Sequence, residues 1–356
     1  MLRLLAFAAA VALAAPPAAA AHTNPVPPDE LASHWSAPAA VLTAAALALA
    51  LFGQAVVRLR RRGRSDLAPW SRCALFAAGL ALVVGPLVSP LDGVADRYVL
   101  SAHMLQHVLI ADAGAALLVL AVRGPLALFL LPRAVLRRLA AARSAFGVLV
   151  RPNVAFALWV AAFGGWHFPS AYDYTLLHPW AHELEHATFV LAGTLAWIQI
   201  VDPIRHGRLT RGGRALFAFG MFAFGQAIAS GLLLSRAPAY AVYAEQPHRV
   251  FGISPLVDQR LAAAVMFAEQ AVTVGAALVV LLWPYLSIGR APRARLVLRA
   301  HPNDSIRPTG RFRRTRGQSP RVLMVGADES VPTAHWSTSS ARPVVSDGRA
   351  GKARAS

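Results

Sequence analysis

The chain has 356 residues, 56% of them hydrophobic and only 15% charged, with a mean hydropathy of +0.48. So little charge cannot cover the surface of a soluble protein of this length, which places the chain among integral membrane proteins. The net charge of +18 lies in arginine blocks between apolar runs, a topology signal rather than a nucleic-acid surface, and the single Cys73 excludes an internal disulfide, CxxC redox chemistry and multi-thiolate metal sites.

Residues 1–21 carry one early charge at Arg3, an apolar stretch, a Pro16-Pro17 break and a run of small residues ending at Ala20 and Ala21. This reads as a secretory signal peptide or a short N-terminal helix, and either delivers residue 22 to the outside. The next segment, 22–288, contains seven runs of about 20 residues, the length that crosses a hydrocarbon core. They fall near 37–58, 71–91, 99–122, 148–166, 179–201, 213–235 and 261–286. The fourth is the weakest, because Arg151 and Pro152 stand at its start. The predicted fold is therefore all-α, a polytopic membrane helix bundle of about seven spans. Residues 125–131 form a shorter apolar stretch that suits an interfacial helix.

Arginine orients the bundle. Arg58, Arg60, Arg61, Arg62 and Arg64 follow the first span; Arg123, Arg133, Arg137, Arg138 and Arg143 follow the third; Arg205, Arg208, Arg211 and Arg214 follow the fifth. These loops face the cytoplasm by the positive-inside rule, as does the tail. Residues 289–356, rich in Arg, Ser, Pro and Gly, lack the apolar content for a core and read as a disordered, basic cytoplasmic tail that can touch anionic lipid.

Ionisable side chains inside a membrane are costly, so each is a functional candidate. The third span opens with Ser101-Ala102-His103-Met104-Leu105-Gln106-His107, putting two histidines four apart on one helical face. His107 lies about 12 Å along that helix, too deep for a surface residue. The fourth span ends in Trp166-His167-Phe168-Pro169. The fifth begins His178-Pro179-Trp180-Ala181-His182-Glu183-Leu184-Glu185-His186, with Pro179 at the first helical position and the four-residue histidine spacing repeated.

His103, His107, His167, His178, His182 and His186 thus share the extracytoplasmic side, and imidazoles from three helices at one depth form a candidate metal site. His178 also suits a simple helix cap. His22, His34, His206, His248, His301 and His335 fall in loops or tails and read as solvated. Imidazole accepts zinc, copper, iron or nickel, while the thioethers of Met104 and Met266 favour Cu(I). Asp258 and Gln259 stand at the mouth of the last span and Glu269 within it; Glu269 suits a metal ligand, a proton carrier or, first among these, an acceptor for an imidazole N–H behind the metal.

His182-Glu183-Leu184-Glu185-His186 also matches the H-E-x-x-H pattern of zinc proteases. No accessory motif of an intramembrane protease accompanies it. A bis-histidine haem site, one imidazole from the third span and one from the fifth, is the other alternative the residues leave open.

At these positions the chain resembles the CtaG-type, caa3-associated cytochrome c oxidase assembly proteins. The resemblance is carried by His103-Met104-Leu105-Gln106-His107, Trp166-His167-Phe168-Pro169 with Tyr172-Asp173, Leu184-Glu185-His186 with Gly193 and Trp197, Pro238 with Tyr240 and Tyr243, and Asp258-Gln259 with Met266. Where the family usually has glycines after Asp258-Gln259, this chain has Ala262-Ala263-Ala264. The resemblance implies a polytopic protein of the cell membrane that helps build the copper centres of haem-copper oxidases. It further implies cytochrome c oxidase subunits as partners, copper as the bound metal, and no catalytic residues. Homo-oligomerisation is left open, and the resemblance does not extend to the tail.

Overall fold

The computed structural model describes residues 27–131, 137, 147–204 and 208–287. The chain separates into two units, residues 1–293 and 294–356, and every described residue belongs to the first. The signal-like segment and the basic tail lie outside the described residues. Those described are helical, with no strand among them.

In chain order the helices are α1 (Ala39–Arg61), α2 (Trp70–Val88), α3 (Pro90–Arg97), α4 (Leu100–Ala121), α5 (Pro125–Phe129), α6 (Pro152–Trp166), α7 (Pro169–Leu177), α8 (Pro179–Val201), α9 (Arg211–Leu234), α10 (Ala241–Ala244) and α11 (Pro255–Ser287). Proline opens α3, α5, α6, α7, α8 and α11. Its fixed φ suits a first turn, and its missing N–H is one that the helix could not have bonded. Thr210 caps α9 by accepting from the Gly213 N–H at 3.1 Å.

Among the described residues six helices, α1, α2, α4, α8, α9 and α11, are long and apolar enough to cross a membrane, so the chain is a multi-pass membrane protein. The sequence predicts seven. The difference is α6, which has 15 residues and reaches only about 22 Å. Arg151 is extended (φ −68°, ψ 135°) because Pro152 disfavours the helical region for the residue before it, and this severs residues 148–150 from the span. Residues 125–131 hold a short helix, α5, with one face buried and Leu128 51% exposed. Leu126 and Leu130 are fully buried, and Gln54 of α1 donates to the Leu130 carbonyl at 2.5 Å, so the stretch packs into the bundle.

α4 and α8 occupy the centre. Their most apolar stretches are 61% and 56% buried, against 22–33% for the other four spans. Small residues let them approach: a Cβ on Gly193 of α8 would collide with the Ala111 carbonyl oxygen of α4. On the opposite side of α4, Gly114 is closed in by Val83 of α2. Ala111 and Gly114 belong to a π-helical turn at Leu109–Gly114. One extra residue in a turn rotates those that follow, and here Asp112 accepts from Trp197 Nε1 of α8 at 2.5 Å. Gly193→Ala is expected to separate α4 from α8 and to destabilise the bundle by about 1–3 kcal/mol, read as a fall in the midpoint of thermal unfolding in detergent.

Candidate metal centre

His103 and His107 are the fourth and eighth residues of α4; His182 and His186 are the fourth and eighth of α8. Both helices start at the same end of the bundle and lie side by side, so two i, i+4 pairs meet across one interface. One ligand atom from each of the four histidines falls within 4.8 Å of the others. His103 is fully buried, His107 is 3% exposed and His182 6%, while His186 is half-buried.

The separations suit a metal ion. His103 Nε2 and His182 Nε2 are 3.3 Å apart. Two nitrogens held at 2.0–2.1 Å in a tetrahedron stand about 3.3–3.4 Å from each other, so this edge already has coordination length. The remaining atoms require inward movement of an ångström or so. Neither ring nitrogen of His107 makes a hydrogen bond, although both atoms are buried. A buried polar nitrogen left without a partner costs about 1–3 kcal/mol, which a bound cation would offset.

Outer groups orient the rings. Tyr243 donates its hydroxyl hydrogen to the Ala95 carbonyl at 2.5 Å, so toward His103 Nδ1, at 2.7 Å, the same oxygen accepts. His103 therefore carries its proton on Nδ1, and Nε2 is left with a lone pair facing His182. Burial raises the phenols of Tyr172 and Tyr243 well above their ordinary value and keeps them neutral. The Tyr172 ring lies 5.2 Å from that of His103. Two carboxyl groups approach the cluster: Asp96 Oδ1 is 3.9 Å from His182 Nδ1, and Glu185 Oε1 is 3.8 Å from His107 Nε2. Tyr243→Phe removes the acceptor that fixes the His103 tautomer. It is expected to weaken metal binding by about 10–100-fold, measured by competition with a chromophoric chelator.

The other predicted residues divide. Asp258 of α11 accepts from the Leu100 N–H at 2.6 Å, the Ser101 N–H at 3.0 Å and the Ser101 hydroxyl at 2.6 Å, and so caps the helix that carries His103 and His107. Gln259 accepts from the Ala239 N–H at 2.6 Å and donates to the Leu232 carbonyl at 2.9 Å, tying the end of α9 to the loop that delivers Tyr240 and Tyr243. His167, at the end of α6, is buried but outside the group of four; its Nδ1 is 2.6 Å from the Phe163 carbonyl. His178 is half-buried, stacked on Tyr174 and 2.9 Å from the Tyr174 carbonyl, and it stands at the N-cap position of α8 with no side-chain capping bond.

Met104 and Met266 are both buried and line a small cavity with His107 and His167. Glu269 lines that cavity too, but it stands beside Asp112 and Thr273 and has no hydrogen bond to an imidazole. The expected acceptor position is filled instead by Tyr243, with Glu185 and Asp96 nearby.

Sequence reasoning passed over Asp112, Glu185, Asp96 and Tyr243 as site residues. Asp112 was detectable as a carboxyl group in mid-span. Glu185 carried a signal as well, since it stands three residues after His182 and so shares its face. Nothing in the spacing of Asp96 or Tyr243 placed them here, because both arrive on short helices between the spans.

A larger cavity of about 140 Å³ adjoins the histidines. Its walls are mainly apolar, from Ala40 and Ala44 of α1, Val83 of α2, Ile110 of α4 and Val190 of α8, and it reaches His182, His186, Glu183 and Asp92.

No curated protein matches the chain, and no solved structure matches it. The family model described as cytochrome c oxidase caa3 assembly factor (Caa3_CtaG) matches residues 50–287, a stretch that contains all four clustered histidines, Tyr243 and Asp258. That match covers more than half of the 356 residues, and the chain belongs to the family of cytochrome c oxidase caa3 assembly factors.

Proposed function

We propose that His103, His107, His182 and His186 take up a copper ion at the outer side of the cell membrane and pass it to a cytochrome c oxidase subunit under assembly, without chemical turnover. The observation that carries this reading is the convergence of four imidazoles from two helices on a volume the size of one ion. Imidazole alone does not separate copper from zinc. Copper is favoured by the nearby thioethers and by the membership of the chain in a family that assembles a haem-copper oxidase.

The outer placement follows from charge. The cluster lies at the starts of α4 and α8, whereas Arg58, Arg60 and Arg61 close α1, Arg123 follows α4, and Arg214 donates to the Ile200 carbonyl at the far end of α8. Arginine at that end is what a cytoplasmic face requires, and it supports a cytoplasmic tail as well. The 140 Å³ cavity beside His182 and His186 supplies room for a recipient's ligands to displace the donor's one at a time.

The geometry disfavours the two alternatives. A haem needs a flat gap between its axial imidazoles, one from each helix, but the ring centroids across the interface are only 5.1 Å apart for His103 and His182 and 5.2 Å for His107 and His186. A zinc protease needs three protein ligands and an open position for water, whereas four imidazoles complete a tetrahedron.

The test is elemental analysis of purified protein with a visible spectrum of the same sample. Wild type is expected to hold copper and to show no haem absorption. His103→Ala with His107→Ala is expected to lose the copper, and Glu183→Gln to retain it. Equal copper in the wild type and the double variant would end the proposal.

A further inference from the structure

His107 faces more than the tetrad. It also lines a second cavity of about 20 Å³, walled by Met104 and Asp112 from α4, His167 from the end of α6, and Met266 and Glu269 from α11. Met104, His107, Val108, Ala111 and Asp112 fall at i, i+3, i+4, i+7 and i+8, and Met266, Glu269 and Gln270 at i, i+3 and i+4, so each helix presents one continuous stripe to this space. A volume of this size holds about one water or one ion.

The donors around it have an unusual balance. His167 Nδ1 lies 2.6 Å from the Phe163 carbonyl, which can only accept, so the ring proton is on Nδ1 and Nε2 bears a lone pair. That Nε2 is buried and has no hydrogen-bond partner, in a side chain that is itself 9% exposed. Met104 and Met266 are 1% and 2% exposed. Asp112 is engaged by Trp197, while Glu269 stands beside it. A water here has His167 Nε2 and the Glu269 carboxyl group to donate to, but it leaves both thioethers unengaged, because thioether sulfur is a weak acceptor. A soft cation would find two thioethers and an imidazole lone pair, the ligand types that favour Cu(I). One positive charge needs one counter-charge in so apolar a setting, and the Glu269 carboxyl group is there to provide it.

The geometry points to a second metal site for a soft monovalent ion, Cu(I), formed by His167, Met104 and Met266 and joined to the histidine tetrad through His107. It deepens the reading of copper delivery and rests on it for the identity of the cargo. One shared ligand between a nitrogen-only site and a site containing sulfur lets an ion move between them by exchange of partners. His107 lies one helical turn, about 5.4 Å, further into the bundle than His103. The second site therefore lies deeper than the His103–His182 edge, and it shares no lining residue with the 140 Å³ cavity where a recipient's ligands would enter.

The experiment loads the purified full-length chain anaerobically with Cu(I) alone, and in a parallel series with Ag(I) alone. Bound metal is counted by elemental analysis, and its ligands are read by X-ray absorption at the copper edge. Wild type is expected to bind two ions per chain with sulfur among the nearest neighbours of copper. Met104→Leu with Met266→Leu, a volume-conserving change, should lose one ion and all sulfur scattering. His167→Gln should lose the same ion, whereas His103→Ala with His182→Ala should lose the other and keep the sulfur signal. A wild type holding copper on nitrogen alone, with loading unchanged by the methionine replacements, overturns the second site and leaves the tetrad standing. A wild type that binds neither metal overturns both.

Discussion

Cells carrying His103→Ala with His182→Ala in place of the wild-type protein are expected to assemble an oxidase deficient in copper and activity, while the variant accumulates normally in the membrane. The two Nε2 atoms are the pair already at coordination distance, 3.3 Å apart. Their removal leaves His107 and His186, one from each helix, and two imidazoles cannot hold an ion against competing ligands. Loss of an outer partner alone weakens metal sites by about 10–100-fold, so loss of two direct ligands should weaken this one on the order of 10⁴-fold or more. Two measurements separate the readings: copper and activity of the oxidase, and abundance of the variant by immunoblot. Full oxidase activity at normal abundance would exclude a role for the tetrad in delivery. A collapse of abundance with the activity would assign the histidines to holding helices together.

Asp258→Ala is expected to be the most damaging single replacement remote from the metal ligands, lowering stability by about 2–4 kcal/mol and reducing bound copper with it. α4 begins after Val99, a residue with no side chain able to cap it, and its first N–H groups are satisfied across 158 residues of sequence by the Asp258 carboxyl group. A negative group at that position also complements the helix dipole. His103 and His107 ride on the first two turns of the helix so capped, and fraying there would move both ligands. Asp258→Asn keeps an acceptor oxygen and should recover part of the loss. The check is the unfolding midpoint and the copper content of the three proteins. A variant with full stability and full copper would show that the cap does not control the site.

Much of the bundle was legible in the chain itself. Apolar runs of span length, arginine after alternate spans and proline at helix starts are local signals, and α8 begins and ends where they put it. The shortfall at α6 is instructive, because hydropathy averages over Arg151-Pro152 while the backbone obeys the proline. The i, i+4 spacing of His103 with His107 and of His182 with His186 is likewise local, and it fixed each pair to one face.

Spacing along a helix carries no information about which faces of different helices meet. By sequence position His167 and His178 share the extracytoplasmic side with the other four, although His178 also suits a helix cap. Rotation of α6 sends His167 toward the methionines, and the extended backbone at His178 turns it outward. The same blindness put Glu269 behind an imidazole, where Tyr243 stands instead. The sequence by itself determined a multi-pass helical protein with two histidine pairs at matching depth. Only tertiary packing, with α4 and α8 drawn together at Gly193 and turned by the π segment, decided that four of those rings converge and that a fifth lines a separate cavity, because helix rotation is set by contacts between distant parts of the chain.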